Sequence, residues 1–376
     1  MLMRKSLIPA MLVAFAHLSG YSQEIQVVKI GLSSPLSGPQ ASSGKDNEAG
    51  LQMAAEQLNA HPIIVAGKKI QFEIISEDDH ADSQSGIVSA KKLVSLGVKG
   101  VLGPYNSGVA LAVSKVYNDA GIVMATVATN PKVTQQNLPY VFRVAASDSQ
   151  QGGKLASFAI VKLGIKTVSI IDDRTAYGQG LADEFEKVAK SFGAQILERH
   201  FTTDKATDFS AILQTVKAQK PDAVFYGGLA PQAGPMVRQL KQLGIKTLFL
   251  GGDGICSPEM GRLAGDAIGP HIYCTQGRSV LDKSANGKAF AADYKKKFNR
   301  PPEVYAASFF DGLNMMAEAM KIAASTEPKQ YAAALTKIHY KGIVGSYRFD
   351  ERHDLKDAPV TVFQFNGIEP TALSDY

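Results

Sequence analysis

Two hydroxyl residues, Ser107 and Thr129, each follow a short apolar run in the first third of the chain. The runs at residues 98–102 and 122–125 are typical of buried parallel strands, whose carboxyl ends meet at one edge of a sheet. Apolar residues at 113, 116, 117 and 120 predict a helix that begins near Ser107. Hydroxyls and the N–H groups of a helix start suit an anion such as a carboxylate, although Ser107 would also serve simply as a helix cap.

A group suited to a cation occurs later in the chain. Residues 251–254 read Gly-Gly-Asp-Gly after another apolar run, and Asp253 would repel a phosphate but attract an ammonium. A zwitterion bound in a cleft needs both kinds of group, hydroxyls and amides for its carboxylate and an acidic residue for its ammonium. Charge-assisted hydrogen bonds contribute roughly 1.5–3 kcal/mol each, so a few of them with a buried aliphatic side chain reach the ~8 kcal/mol of a micromolar complex.

Alternating strands and helices must position these residues. One set of βα units runs from an apolar strand at 27–33 to residue 143, and a second set runs from residue 149 to residue 254. Units of about 25–30 residues with short connections predict parallel sheets covered by helices on both faces. Because 376 residues are too many for one ordinary core, we expect an α/β protein with two lobes.

The pattern changes after residue 273. Three helices are predicted at 285–298, 304–324 and 330–338, and two late strands at 345–349 and 360–365. One arrangement that packs these helices returns the chain to the first lobe and then crosses back to the second. It would give two discontinuous lobes joined by several hinge strands.

Residues 1–22 have the pattern of a secretory signal. Arg4 and Lys5 form a positive start, an apolar run covers residues 7–18, and small residues place cleavage near Ser22, with Ala16 as a rival site. We therefore predict a soluble, exported protein.

The chain has only two cysteines, Cys256 and Cys274. In an oxidising compartment such a pair favours a disulfide, which would stabilise the fold by about 3 kcal/mol in the chain-entropy model. A metal site with two cysteine ligands is the alternative, but no histidine lies at ligand spacing.

Several function classes lack their usual signals. The formal net charge of +5 comes without a basic stripe interleaved with aromatics, which argues against nucleic acid. No phosphate loop, Gly-x-Ser-x-Gly elbow or HExxH motif occurs. The acidic residues at 77–82 could hold a metal but also suit a strand end and helix start, and Asp172 and Asp173 beside Arg174 favour ion pairing over acid–base chemistry. We predict no catalytic residue, metal or cofactor.

Six motifs, in this order and spacing, carry a family resemblance. They lie at residues 35–39, 101–103 with Ser107, 128–131, 177–180, 225–228 and 251–254. From about Gln26 to its end the chain resembles the branched-chain amino-acid-binding proteins of bacterial ABC importers. The resemblance implies the type I periplasmic-binding fold, with two Rossmann-like lobes and a three-segment hinge. We expect residues 23–147 plus 277–348 in lobe 1 and 148–276 plus 349–376 in lobe 2.

The resemblance also implies roles for particular residues. Ser107 and Thr129, with backbone near Val127 and Ala128, match the positions that bind the ligand carboxylate. Asp253 matches the acid that binds the ammonium. Two aromatic positions of the cleft correspond to Tyr177 and Tyr305. The implied protein is a periplasmic monomer that takes an aliphatic, branched-chain type L-amino acid to the membrane subunits of an ABC permease.

Four positions depart from the family pattern. Two of them are also expected to contact the ligand: Ser43, which replaces an aromatic residue, and Leu229, which stands where relatives often have tyrosine. Ala81 and Asn106 replace a disulfide that some relatives carry. The resemblance therefore supports an α-amino acid as the ligand more strongly than it supports a branched-chain side chain on that ligand. Three alternatives stay open: a receptor of the same fold for an amide, urea or aromatic acid, an exported α/β hydrolase, and a regulatory ligand-sensing domain.

Overall fold

The computed structural model describes residues 24–373, so the predicted signal peptide and its cleavage site lie outside the described residues. Two large helix-covered sheets with separate hydrophobic cores make up the described chain. The predicted α/β class with two lobes is therefore confirmed.

The first sheet has six strands in the order β2-β3-β1-β4-β5-β6. All neighbours pair in parallel except β2, an antiparallel edge strand. Chain order reverses between β1 and β4, and open α/β sheets bind ligands at such a point, beyond the carboxyl ends of the strands. The strands are β1 (Ile25–Ser34), β2 (Ile64–Val65), β3 (Lys68–Asp78), β4 (Gly100–Leu102), β5 (Val123–Thr126) and β6 (Val141–Arg143).

The second sheet has a parallel core in the order β11-β10-β9-β7-β8. Its chain order reverses between β7 and β9, so the carboxyl ends of β7, β9 and β10 face the same crevice. These strands are β7 (Thr167–Asp172), β8 (Gln195–Phe201), β9 (Ala223–Gly227), β10 (Leu248–Gly251) and β11 (Ile272–Gln276).

The late strands divide between the lobes. A short hairpin of β12 (Tyr340–Lys341) and β13 (Ser346–Tyr347) pairs only with itself, whereas β14 (Thr361–Phe365) and β15 (Pro370–Ala372) extend the second sheet in antiparallel fashion. The strand expected at 345–349 is thus shorter than predicted, because Phe349 makes only an isolated bridge with Leu355.

Twelve helices cover the sheets of residues 24–373, and the last three pack against the first core through Tyr294, Phe309 and Tyr331. No helix in this part of the chain is long and apolar enough to span a membrane. They are α1 (Ala41–Ala60), α2 (Ser83–Ser95), α3 (Ser107–Ala120), α4 (Lys132–Gln135), α5 (Asp148–Val161), α6 (Ala176–Ser191), α7 (Ser210–Gln219), α8 (Ala230–Gln242), α9 (Pro258–Ala264), α10 (Ala285–Phe298), α11 (Ala306–Ile322) and α12 (Pro328–Leu335).

The exact lobe boundaries, 23–147 plus 277–348 and 148–276 plus 349–376, stay predictions. Phe349 and Leu355 lie in the first core, although the predicted boundary assigns their segment to lobe 2. Val362 and Phe365 lie in the cores of the second lobe.

Candidate ligand-binding cleft between the lobes

A cavity lies between the two sheets, where the carboxyl ends of their strands face each other. The first lobe contributes Tyr105, Asn106, Ser107, Val127, Thr129 and Tyr305. The second lobe contributes Tyr177, Leu229, Asp253 and Gly254. An adjoining space, the outer chamber, shares Tyr105, Leu229, Asp253 and Gly254 with it and reaches Gln40, Ser43, Ser257 and Glu259.

Local sequence explains where the first-lobe hydroxyls lie. Ser107 is the first residue of α3, and the preceding Asn106 makes no side-chain cap, so the amides of the first helical turn are left without that partner. Gly121 ends the helix in the left-handed region, at φ 68°. Ser107 Oγ accepts a hydrogen bond from Asn130 N–H at 3.3 Å, which ties the helix start to the loop after β5.

A buried arginine holds that loop in place. Arg143 is fully buried, and its Nη1 donates to the carbonyls of Ala128 at 2.6 Å and Asn130 at 2.9 Å. Its Nε donates to Asp354 at 2.7 Å. A buried guanidinium paired with a carboxylate and satisfied by carbonyls is a rigid anchor, and it fixes the backbone on either side of Thr129.

Asp253 is the charged group of the second-lobe wall. It follows β10, is only 5% exposed, and accepts a hydrogen bond from Tyr177 Oη at 2.8 Å. Tyr305, from the first lobe, donates to its other oxygen. Tyr177 Oη in turn accepts from Gly254 N–H at 2.9 Å. A Cβ on Gly254 would come within 2.8 Å of that phenol oxygen, so the close approach requires glycine.

Burial dominates the electrostatics of this wall. It raises the pKa of Asp253, and the hydrogen bonds from Tyr305, Tyr177 and Gln151 oppose that rise. Burial also raises the pKa of Asp148, beside Thr129, well above its usual range. That rise disfavours the charged form of Asp148, which would repel an anion at Thr129.

The lobes also touch directly beside the cavity. Besides the contact of Tyr305 with Asp253, Asn130 Nδ2 donates to the carbonyl of Ala176 at 2.6 Å, at the first turn of α6. These contacts bring the two walls together in the described arrangement.

Eight of the nine residues predicted to bind the ligand line the cavity or the outer chamber. Ser107, Val127, Thr129, Tyr177, Leu229, Asp253 and Tyr305 line the cavity, and Ser43 lines the chamber. Ala128 does not: it is buried in the core beneath, and its carbonyl accepts from Arg143. Their roles in binding stay predictions.

Sequence reasoning missed Gln151 and two side chains that line the cavity itself. Tyr105 and Asn106 line the cavity, and Gln151 helps to lower the pKa of Asp253. Tyr105 and Asn106 immediately precede Ser107 in the turn after β4, so their place in that turn was the available signal. No local pattern pointed to Gln151.

The predicted disulfide between Cys256 and Cys274 is confirmed, with a Cα–Cα distance of 5.4 Å. It joins the turn that carries Asp253 to β11, and Gln276 Nε2 donates to the carbonyl of Cys256 at 2.7 Å. The bond therefore anchors the acidic wall.

The two other acidic clusters bind backbone and neighbouring side chains. Asp82 caps α2 through Ser85 N–H, and Asp79 accepts from Ser33 at 2.8 Å. Asp172 pairs with Arg199 at 2.8 Å. No group of three or more metal-ligating side chains occurs within residues 24–373.

Comparison with known proteins identifies the family. The family model described as "Periplasmic binding protein" matches residues 27–369. This chain belongs to the periplasmic binding protein family. A relative from Brucella abortus, named Leu/Ile/Val-binding protein homolog 1, is 34% identical over 356 residues, which cover 94% of each chain.

Solved structures of the family have the same fold. A leucine binding protein from Thermotoga maritima is 27% identical with a TM-score of 0.85, over 92% of this chain and 98% of that one. A solute binding protein from Rhodopseudomonas palustris, solved with 3,4-dihydroxybenzoic acid, is 26% identical with a TM-score of 0.80, over 92% and 96%. The predicted resemblance and type I periplasmic-binding fold are confirmed.

Proposed function

We propose that this member of the periplasmic binding protein family is an extracytoplasmic receptor for an aliphatic L-α-amino acid of the branched-chain type. It delivers its guest to an ABC permease and is not an enzyme. The observation that carries the proposal is the opposition of a hydroxyl and amide wall, with Ser107 and Thr129, to the buried carboxylate of Asp253.

An α-amino acid satisfies both walls at once. Its carboxylate accepts from hydroxyls and from the first amides of α3, and its ammonium donates to Asp253. The two phenol donors on Asp253 leave room for a third, because a carboxylate has about four acceptor positions. The ammonium neutralises a charge that is otherwise costly to bury.

The walls between these groups favour an aliphatic side chain. Val127, Leu229 and the ring of Tyr105 line the cavity, and burying a leucine-sized side chain against them contributes roughly 1.5–3 kcal/mol. The names of the Brucella abortus and Thermotoga maritima relatives support the same ligand class.

The size of the cavity supports a mechanism in which the cleft opens and closes. As described, it has a volume of about 20 Å³, little more than one water needs. An amino acid therefore enters only when the lobes part, and the ligand favours the state in which both lobes contact it. Closure would present the joined lobes to the permease.

A receptor for an aromatic acid is the second candidate. The relative solved with 3,4-dihydroxybenzoic acid favours it, and Tyr105 and Tyr305 meet edge to face at 6.1 Å beside the cavity. Such a guest has a carboxylate but no ammonium, so Asp253 would only accept hydrogen bonds from its hydroxyls.

Mass spectrometry of ligand carried through native purification tests the proposal, followed by a thermal-shift screen of L-amino acids against amides, urea and benzoates. We expect a co-purified aliphatic amino acid, and a rise in Tm with leucine, isoleucine or valine that exceeds the rise with any acid lacking an amino group. A larger shift with a benzoate would favour the second candidate, and turnover of an ester substrate would contradict a receptor without catalysis.

A further inference from the structure

The apolar part of the cavity, lined by Val127, Leu229 and the ring of Tyr105, is the stem section. The outer chamber beside it has a different chemistry. Glu259, from the start of α9 in the second lobe, lines it and is half-buried. Glu259 forms no hydrogen bond or ion pair with any residue between 24 and 373. An acidic residue in the first turn of a helix stabilises that helix, but this does not require it to face a cavity.

A second carboxylate, from the first lobe, lies in a space next to the outer chamber. Glu303 is 8% exposed and lines a small space that shares Ser43, Tyr105 and Val304 with the outer chamber. One of its oxygens accepts from Ser42 Oγ at 2.9 Å. The other, Oε2, is buried without a hydrogen-bond partner among the described residues. A buried acceptor without a donor is costly unless something else supplies one.

The arginines nearby do not supply that donor. Arg262 and Arg300 lie 3.9 and 3.8 Å from Oε1 of Glu303, the oxygen that is already bonded. Arg278 donates instead to the carbonyls of Glu303 and Val304. This region thus holds four carboxylates, Asp46, Asp253, Glu259 and Glu303, and three guanidinium groups, two of which lie near Asp46 and Glu303.

We infer that the outer chamber and the adjoining space lined by Glu303 together form a second subsite, in which Glu259 and the free oxygen of Glu303 bind an ammonium group at the tip of a guest's side chain. A branched aliphatic side chain fills only the stem section. A longer unbranched side chain passes between Tyr105 and Leu229 and brings its amino group to both lobes. This inference rests on the proposed function, because it takes the α-carboxylate and α-ammonium to be bound as described above.

Titration calorimetry on the full exported chain at pH 7 tests the subsite with L-norleucine and L-lysine, which share a four-carbon side chain and differ by the terminal amino group. L-Ornithine adds a guest one methylene shorter. We expect L-lysine or L-ornithine to bind at least tenfold more tightly than L-norleucine. Glu259→Gln should remove that advantage and leave L-leucine affinity within threefold, which also reports a correct fold. Glu303→Gln should reduce the advantage at least threefold.

A matched control is Glu369→Gln, an exposed glutamate of the second lobe away from the cleft, which should change neither affinity. The inference is overturned if neither diamino acid binds more tightly than L-norleucine, or if Glu259→Gln weakens L-lysine and L-leucine equally. If L-leucine binds while the diamino acids show no advantage, only the second subsite fails. If no amino acid binds, the proposed function itself fails.

Discussion

The two walls of the cleft differ in the number of groups that would bind the guest. The first-lobe wall is made of hydroxyls and backbone amides at the start of α3, supported by Arg143 from behind. The second-lobe wall depends on one carboxylate, Asp253, within two phenols. When several neutral groups bind the guest, removing one should cost little binding free energy because the others remain. A single buried charge has no neighbour that can replace it.

Asp253→Ala should therefore have the largest effect. The guest ammonium would be buried without its partner, and we expect a loss of about 2–5 kcal/mol, roughly 30- to 5000-fold in Kd for an L-amino acid. Titration calorimetry measures this loss. A loss of less than threefold would mean that no ammonium binds Asp253.

The pH dependence of binding should also separate the walls. Burial raises the pKa of Asp253 in the empty cleft, and a bound ammonium would lower that pKa. Affinity for the amino acid should therefore fall as the pH falls through the raised pKa, by up to about tenfold per pH unit. Tyr177, Tyr305 and Asp148 face Asp253, and burial raises the pKa of each, which favours its neutral form. In Asp253→Asn the profile of Kd against pH should be flat between pH 4 and 7. A profile unchanged by that substitution would assign the titration to another group.

Ser107→Ala should have the smallest effect, a loss of about 1 kcal/mol in binding, since the amides of α3 remain. Calorimetry on this variant beside Asp253→Ala gives the comparison directly. A loss at Ser107 as large as that at Asp253 would show that the first wall also depends on a single group.

Much of the cleft could be predicted because its signals are local. Ser107 and Asp253 each stand in a turn after an apolar strand, and the rule that ligands bind beyond the carboxyl ends of parallel strands brings such turns together. The disulfide was predictable from the cysteine count, because an exported chain with only two cysteines favours a bond between them.

The supporting interactions could not be predicted, because they join residues far apart in the chain. Arg143 binds Asp354 across 211 positions, and Tyr305 reaches Asp253 from the opposite lobe. The same limit explains Ala128: the sequence placed it beside Thr129, but only the three-dimensional structure turns its carbonyl toward Arg143 and its side chain into the core.

The central claim is that the two ends of one guest are bound by opposite lobes. Titration calorimetry of L-leucine beside its two halves, 3-methylbutylamine and 4-methylpentanoate, tests it most directly. We predict that L-leucine binds with a Kd in the micromolar range or below, and that each half-molecule binds at least a hundredfold more weakly. Binding of 4-methylpentanoate as tight as that of L-leucine would contradict the account.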